Sequence, residues 1–174
     1  MKINKALFLD RDNTVIYDIP YNKQPEKTSL VTGIEKVLLY AQKLDYLLII
    51  ISNQSGIGRG LITENDVINV NQQMLKLLDT FNICITDIYF CQHAPEDKCK
   101  CRKPLPTMLR QAAVDHNINL SESIMVGDKM SDIQTGIAAG CKSSIFIKGY
   151  HSINENNNLN YISVSNVKDI IQYI

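Results

Sequence analysis

Asp10-Arg11-Asp12 places two carboxylates two residues apart, directly after the short apolar run Ala6-Leu7-Phe8-Leu9. Carboxylates at the end of a buried strand are costly unless a cation or another partner stands against them. A hard cation such as Mg2+ suits them, being held by one or two carboxylates together with the phosphate oxygens of a substrate. Asp128 closes another apolar run, Ile124-Met125-Val126-Gly127, and is placed to give the same cation a further carboxylate. An isolated Asp-x-Asp is more often a solvated turn. Asp128 and Lys103, both expected at equivalent strand ends, reverse that order.

Ser52-Asn53-Gln54-Ser55-Gly56-Ile57-Gly58-Arg59-Gly60 forms a second group. A hydroxyl, an amide and flexible backbone N–H groups suit a phosphate oxygen. The glycines lack the spacing of a dinucleotide fingerprint or a P-loop, so alone they signal no more than a turn. The third group is denser. Cys91, His93, Cys99 and Cys101 put four nitrogen and sulfur donors within eleven residues. That is a full tetrahedral set for Zn2+ with no open position, so the site is expected to be structural, pinning a loop with little apolar content of its own. Arg102 and Lys103 follow at once. From a pinned loop, Lys103 would neutralise a phosphoryl group in the transition state. The planar fork of Arg102 would take another phosphate or a sugar hydroxyl. Cys84 and Cys141 lie in apolar stretches and are expected as small core residues. His116 and His151 show no partner in the sequence and are expected on the surface.

The elements that must position these groups alternate. Apolar runs at 6–9, 46–51, 85–90, 124–126 and 144–147 read as buried strands, with a further one at Tyr161–Val164. Ile34, Val37, Leu38, Ala41 and Leu44 recur at helical spacing. Thr63 is expected to cap a helix running to about Thr80, with Glu64 and Asp66 in its first turn. Helices are also expected at about 107–116 and 131–139, with Gly140 as a stop and Ser165 as the cap of a C-terminal helix. Residues 15–32, 52–60, 91–104 and the Asn-rich 154–160 read as loops. This alternation predicts a three-layer, Rossmann-like α/β fold with a parallel sheet and helices on both faces. In such a sheet, ligands sit beyond the carboxyl ends of the strands, where Asp10, Asp12, Ser52, Asn53, Lys103 and Asp128 fall.

The chain has 174 residues, which predicts one domain spanning 1–174 with a core of its own. Lys+Arg and Asp+Glu both number 18, so the formal charge is zero. A generic nucleic-acid binder would need a basic face. No apolar run reaches membrane-spanning length, and the first residues fit no signal peptide. A cytoplasmic, reducing compartment follows, with cysteines that serve as thiols or metal ligands rather than disulfides. A monomer is expected, with neither nucleic acid nor membrane as a partner.

Phe8-Leu9-Asp10-Arg11-Asp12-x-Thr14, Ser52-Asn53-Gln54, Lys103 and Val126-Gly127-Asp128-Lys129-x-x-Asp132 resemble, in order, the four motifs of haloacid dehalogenase-like phosphatases. The resemblance covers about residues 6–148. Within that superfamily, the 52–60 stretch, the Cys/His loop running into Arg102-Lys103-Pro104, and Gly127-Asp128-Lys129-Met130-Ser131-Asp132 resemble the heptose bisphosphate phosphatases. Histidinol-phosphate phosphatase domains share the short zinc loop. The resemblance implies a Mg2+-dependent phosphatase that removes the 7-phosphate of a heptose 1,7-bisphosphate, a step toward nucleotide-activated heptose for surface polysaccharide. It implies that Asp10 is the nucleophile and Asp12 the proton carrier. Asp10, the backbone carbonyl of Asp12, and Asp128 would hold Mg2+. Ser52 and Lys103 would hold the transferring phosphoryl group, and Thr14 and Asp132 would support their neighbours. Asp18, Tyr21, Ser52, Asn53, Gln54, Ser55, Arg102, Lys103 and Lys129 match substrate contacts.

Only residues 15–32 separate Thr14 from the first helix, so no cap domain is expected and loops must select a small phosphosugar. Asn13 stands where the family usually has Gly; Asn tolerates left-handed backbone, so the turn is expected to survive. Pro20 replaces the usual Gly between Asp18 and Tyr21, and there the resemblance is weakest. The alternatives are a histidinol-phosphate phosphatase, a polynucleotide 3′-phosphatase, which the neutral charge disfavours, and a non-catalytic zinc-stabilised binding protein. Intact Asp10, Asp12, Lys103 and Asp128 disfavour the last.

Overall fold

Short β-branched and leucine-rich runs between helical segments pair as six parallel strands in this computed structural model, which describes residues 2–150 and 159–174. The elements are β1 (Lys5–Leu9), α1 (Ile34–Lys43), β2 (Tyr46–Asn53), α2 (Ser55–Gly58), α3 (Glu64–Asp79), β3 (Asp87–Cys91), α4 (Thr107–Asp115), β4 (Ile124–Gly127), α5 (Met130–Ala139), β5 (Ser143–Ile147) and β6 (Ile162–Val164). The sheet order is β3-β2-β1-β4-β5-β6. The chain therefore winds outward from β1 to one edge and returns to wind outward the other way. The reversal point lies between β1 and β4, which is where such sheets open a crevice at their carboxyl ends.

Alternation along the strands sends side chains to two cores. Leu7, Leu9, Leu48, Ile50, Val126 and Ile145 pack against α1, α3 and the C-terminal 3-10 segment Val167–Tyr173. Ala6, Phe8, Ile49, Ile51 and Met125 pack against Met108, Leu109 and Ala112 of α4. With both faces covered, the central strands read as unbroken apolar runs. Thr63 caps α3 through a reciprocal pair: its hydroxyl accepts from the Asp66 N–H, and Asp66 accepts from the Thr63 N–H. Gly140 ends α5 at φ 86°, a conformation that costs glycine little. No cap domain interrupts residues 10–33, where a single 3-10 turn at Pro25–Lys27 is the regular structure among the described residues.

Four expectations need correction. Ser52 and Asn53 belong to β2, because they continue its pairing opposite Phe90 and Cys91 of β3. The following glycine-bearing segment contains the short helix α2. The C-terminal segment is a 3-10 helix capped by Asn166, whose side chain accepts from the Lys168 N–H, and not by Ser165. Cys84 is exposed rather than a core residue, and Cys141 is half-buried. His116 has a partner after all, with Nε2 2.9 Å from Asp87 Oδ2. His151 and most of the Asn-rich stretch lie outside the described residues.

Candidate active site

The crevice between β1 and β4 gathers the charged residues of three chain segments. Asp10 leaves β1 with its N–H donating to Val126 O at 2.9 Å, which fixes it beside β4. Asp128 leaves β4 and is fully buried. Lys103 arrives from the loop after β3 with its side chain only 2% exposed. Its Nζ lies 2.7 Å from Asp10 Oδ1 and 2.7 Å from Asp132 Oδ1, and donates to Ile51 O at 2.7 Å. Asn53 anchors that lysine's backbone: Asn53 Nδ2 donates to Lys103 O at 3.2 Å and Lys103 N donates to Asn53 Oδ1 at 3.1 Å. Asp132 reaches the centre from the first turn of α5, where its Oδ2 accepts from the Lys129 N–H at 3.0 Å. A Cβ at Gly127 would collide with the Asp132 carboxylate, so only glycine permits this approach.

Charge is concentrated here against solvation. Burial, and then Asp10, push the Asp128 carboxyl up to about 7. Burial pushes Asp132 up to about 6, even though Lys103 pulls against it. Burial works against the ammonium of Lys103, but Asp10 and Asp132 hold it above the ordinary lysine range. Lys129 is likewise desolvated and is held up by Asp10 and Asp128. Oxygens of Asp10, Asp128 and Asp132 lie within 4.8 Å of one another. That donor set, all oxygen and with more negative than positive charge at its centre, fits a hard divalent cation.

Asp12 stands next to this centre. Arg11 grips it through Nε–Oδ1 at 3.1 Å and Nη2–Oδ2 at 3.2 Å, and Gln54 Nε2 donates to Oδ2 at 3.0 Å. Asn13 takes φ 56°, as its residue type allows, and its Nδ2 donates to Asp128 Oδ2 at 3.1 Å. A cavity of about 260 Å³ opens beside Asp12, walled by Arg11, Asp18, Tyr21, Asn53, Gln54, Ser55 and Lys129. Burial, and then Asp12, raise the Asp18 carboxyl. Pro20 also lines this wall, and Tyr21 follows it at φ 52°, so Asp18 and Tyr21 both stand at the cavity.

Ser52, Lys103 and Arg102 do not line the cavity. The Ser52 hydroxyl is buried and accepts from Gln54 Nε2 at 2.7 Å. Arg102 Nη1 donates to His93 O at 3.3 Å. Thr14 is fully buried, and its hydroxyl has no hydrogen-bond partner among the described residues. Sequence reasoning left Arg11 and Asn71 without a role, yet both are buried and bonded, Arg11 Nη1 donating to Asn71 Oδ1 at 3.0 Å. The available signal was an asparagine on the apolar side of α3, in register with Val67, Val70, Met74 and Leu78.

A second cluster lies at the end of β3. Cys101 Sγ is 3.0 Å from Cys91 Sγ, 3.6 Å from Cys99 Sγ and 3.3 Å from His93 Nδ1; Cys91 Sγ is 3.5 Å from Cys99 Sγ and 3.6 Å from His93 Nδ1. Four ligands around Zn2+ at about 2.3 Å would stand about 3.8 Å apart, so these donors are gathered to nearly the right size. Burial and the Cys101 contact push the Cys91 thiol up to about 12. A dicationic metal reverses that preference and takes the thiolate.

Residues 100–169 match the family model for HAD-hydrolase-like proteins. The D-glycero-beta-D-manno-heptose-1,7-bisphosphate 7-phosphatase of Helicobacter pylori strain 26695 is 43% identical over 148 residues, 84% of this chain and 86% of its own. The protein of the same name from Helicobacter pylori strain J99 is 39% identical over 177 residues, covering 98% of this chain and 97% of its own. Among solved structures, the D,D-heptose 1,7-bisphosphate phosphatase from B. bronchiseptica complexed with magnesium and phosphate superposes with a TM-score of 0.85 at 26% identity, covering 97% of each chain.

Proposed function

The chain belongs to the heptose-1,7-bisphosphate 7-phosphatase family of haloacid dehalogenase-like hydrolases, and from that premise we propose that it removes the 7-phosphate of D-glycero-D-manno-heptose 1,7-bisphosphate. The names of the relatives favour the β anomer. The observation that carries the reading is the buried Asp10–Lys103–Asp132 group beside Asp128 at the crevice of the sheet. A solvated turn or a binding surface would not bury two carboxylates on one lysine with a third beside them.

In this reading an oxygen of Asp10 attacks phosphorus. The bond from phosphorus to the sugar oxygen breaks, and Asp12 gives that oxygen its proton. The phosphoryl group is then carried on Asp10. A water attacks phosphorus next, Asp12 takes its proton, and the bond to Asp10 breaks to release inorganic phosphate. Lys103 holds Asp10 in line and offsets charge on the moving oxygens. Ser52 and Gln54 fix the neighbouring wall. Asp10, Asp128 and the Asp12 carbonyl would hold Mg2+, which when bound supplies positive charge to the phosphate oxygens. Cys91, His93, Cys99 and Cys101 would hold Zn2+ and fix the loop that delivers Lys103. Asp18, Tyr21, Asn53, Ser55 and Lys129 would meet the sugar, and Arg102, tied to the His93 carbonyl, would reach substrate only by turning from it. Residues 1–174 act as one domain, a cytoplasmic monomer with a small phosphosugar substrate. The remaining 1-phosphate suits the product to a nucleotidyl-transfer reaction, on the way to activated heptose for surface polysaccharide.

Phosphate release with Mg2+ from both anomers of heptose 1,7-bisphosphate, with histidinol phosphate as competitor, tests this. Release of one phosphate per heptose with the 1-phosphate retained is expected. Faster turnover of histidinol phosphate would overturn it.

A further inference from the structure

Asn71 is an anomaly on α3. Its neighbours at helical spacing, Val67, Val70, Met74 and Leu78, are buried and apolar, and Asn71 itself is only 7% exposed. A buried amide costs free energy unless it is hydrogen-bonded. Its Oδ1 accepts from Arg11 Nη1 at 3.0 Å. Arg11 is also buried, and it turns its other edge to Asp12. One guanidinium thus spans two elements. Its Nη1 is fixed by a helix in the core, and its Nε and Nη2 close on the carboxylate two residues after Asp10. Adjacent residues can form an ion pair in many geometries, and Arg11 also borders the cavity, where an anionic ligand would compete for its guanidinium. The bond to Asn71 selects one geometry, because the guanidinium is planar and its five donors are rigidly arranged.

We propose that Asn71 and Arg11 form a positioning clamp that aims the Asp12 carboxyl at the leaving oxygen, with Gln54 closing the third side. The proposal rests on the reading of Asp12 as proton carrier. Neither residue is a catalytic residue in this account; each acts through Asp12. An accurately aimed proton donor matters when the leaving group is an alkoxide and hardly at all when it is p-nitrophenolate, which departs without a proton. The ratio kcat/KM reports bond breaking to the leaving group and leaves out the hydrolysis step that both substrates share.

The experiment compares kcat/KM for the heptose bisphosphate and for p-nitrophenyl phosphate in the full chain with Mg2+ present. Asn71→Leu keeps the size of the side chain and deletes the acceptor. It is expected to lower kcat/KM on the sugar by about 10- to 100-fold, a part of what general acid catalysis supplies, and on p-nitrophenyl phosphate by less than about threefold. Asn71→Asp, which keeps an acceptor oxygen, should restore most of the loss. If Asn71→Leu does not fold by circular dichroism, Arg11→Lys, which keeps the charge and loses the fork, is expected to show the same selective loss. Equal losses on both substrates would overturn the clamp, since they would mean either that Arg11 binds the phosphate common to both or that the contact only supports the fold. No loss on either would overturn it too. A wild-type chain inert toward every phosphate ester would instead overturn the function on which the clamp rests.

Discussion

Two clusters of residues that could hold a metal ion sit at neighbouring strand ends, and they differ in nearly every physical respect. The Cys91, His93, Cys99 and Cys101 donors, at the end of β3 and in the loop after it, lie within 4.8 Å of one another and offer nitrogen and sulfur in a full set of four. The Asp10, Asp128 and Asp132 group comes from two segments far apart in sequence, uses hard oxygens, and shares its charge with Lys103 beside a cavity. A closed set of four can stabilise a loop and do nothing more. An open oxygen set with charge to spare can act on a phosphate. The two are joined by Lys103, which lies two residues after Cys101 and ends in the carboxylate centre, so the segment that carries the first cluster also supplies the lysine of the second.

The largest effect should come from breaking the open centre alone. Asp10→Asn is expected to lower phosphate release by at least about a thousandfold, the scale seen when a covalent nucleophile is removed. Zinc content, by elemental analysis, should stay at one per chain. Lys103→Met strikes the link between the clusters. It leaves Asp10 and Asp132 as buried carboxylates without their counter-charge, a change worth about 3–5 kcal/mol, read as a large drop in melting temperature together with lost turnover.

Acidity sharpens the contrast next. Because the Asp128 carboxyl sits near 7, protons compete with Mg2+ below that pH. Magnesium affinity by calorimetry should level off above pH 7 and fall by about tenfold per unit below it if a single proton competes. The sign for the metal-free chain is opposite. A carboxyl raised in the folded state binds its proton more tightly there than when unfolded, so this group adds stability as pH falls from 7. The smallest effect belongs to a site remote from both clusters. Thr63→Ala removes the cap of α3 and should cost about 1 kcal/mol in the melt, with turnover per folded molecule unchanged.

The strand ends were legible because buried parallel strands are apolar throughout and stop abruptly at Asp10 and Asp128, which marks both the fold and the crevice. The gathering of Cys91, His93, Cys99 and Cys101 was legible from spacing alone. Ser52 and Asn53 were harder. They read as loop because they are polar, but a strand end pairs its backbone whatever its side chains are, and β3 opposes both. The role of Asn53 in holding the Lys103 backbone depends on that pairing and has no sequence signal. Arg102 reads as a substrate ligand because it directly follows the Cys/His loop; in the structure its Nη1 donates to the His93 carbonyl at 3.3 Å. Arg11 was hidden inside a motif whose flanking aspartates drew the attention, and Asn71 becomes meaningful only when α3 is laid over β1. Cys84 was misplaced because an apolar neighbourhood in sequence does not say which side of the chain faces water.

The most direct test of the division between the two clusters is phosphate release from heptose 1,7-bisphosphate by protein dialysed free of Mg2+ and titrated with it, with bound zinc assayed at each point. The account predicts no release at the start, full release at saturating Mg2+, and one zinc per chain throughout. Release without added Mg2+ at one zinc per chain, or zinc lost as Mg2+ is added, would contradict it.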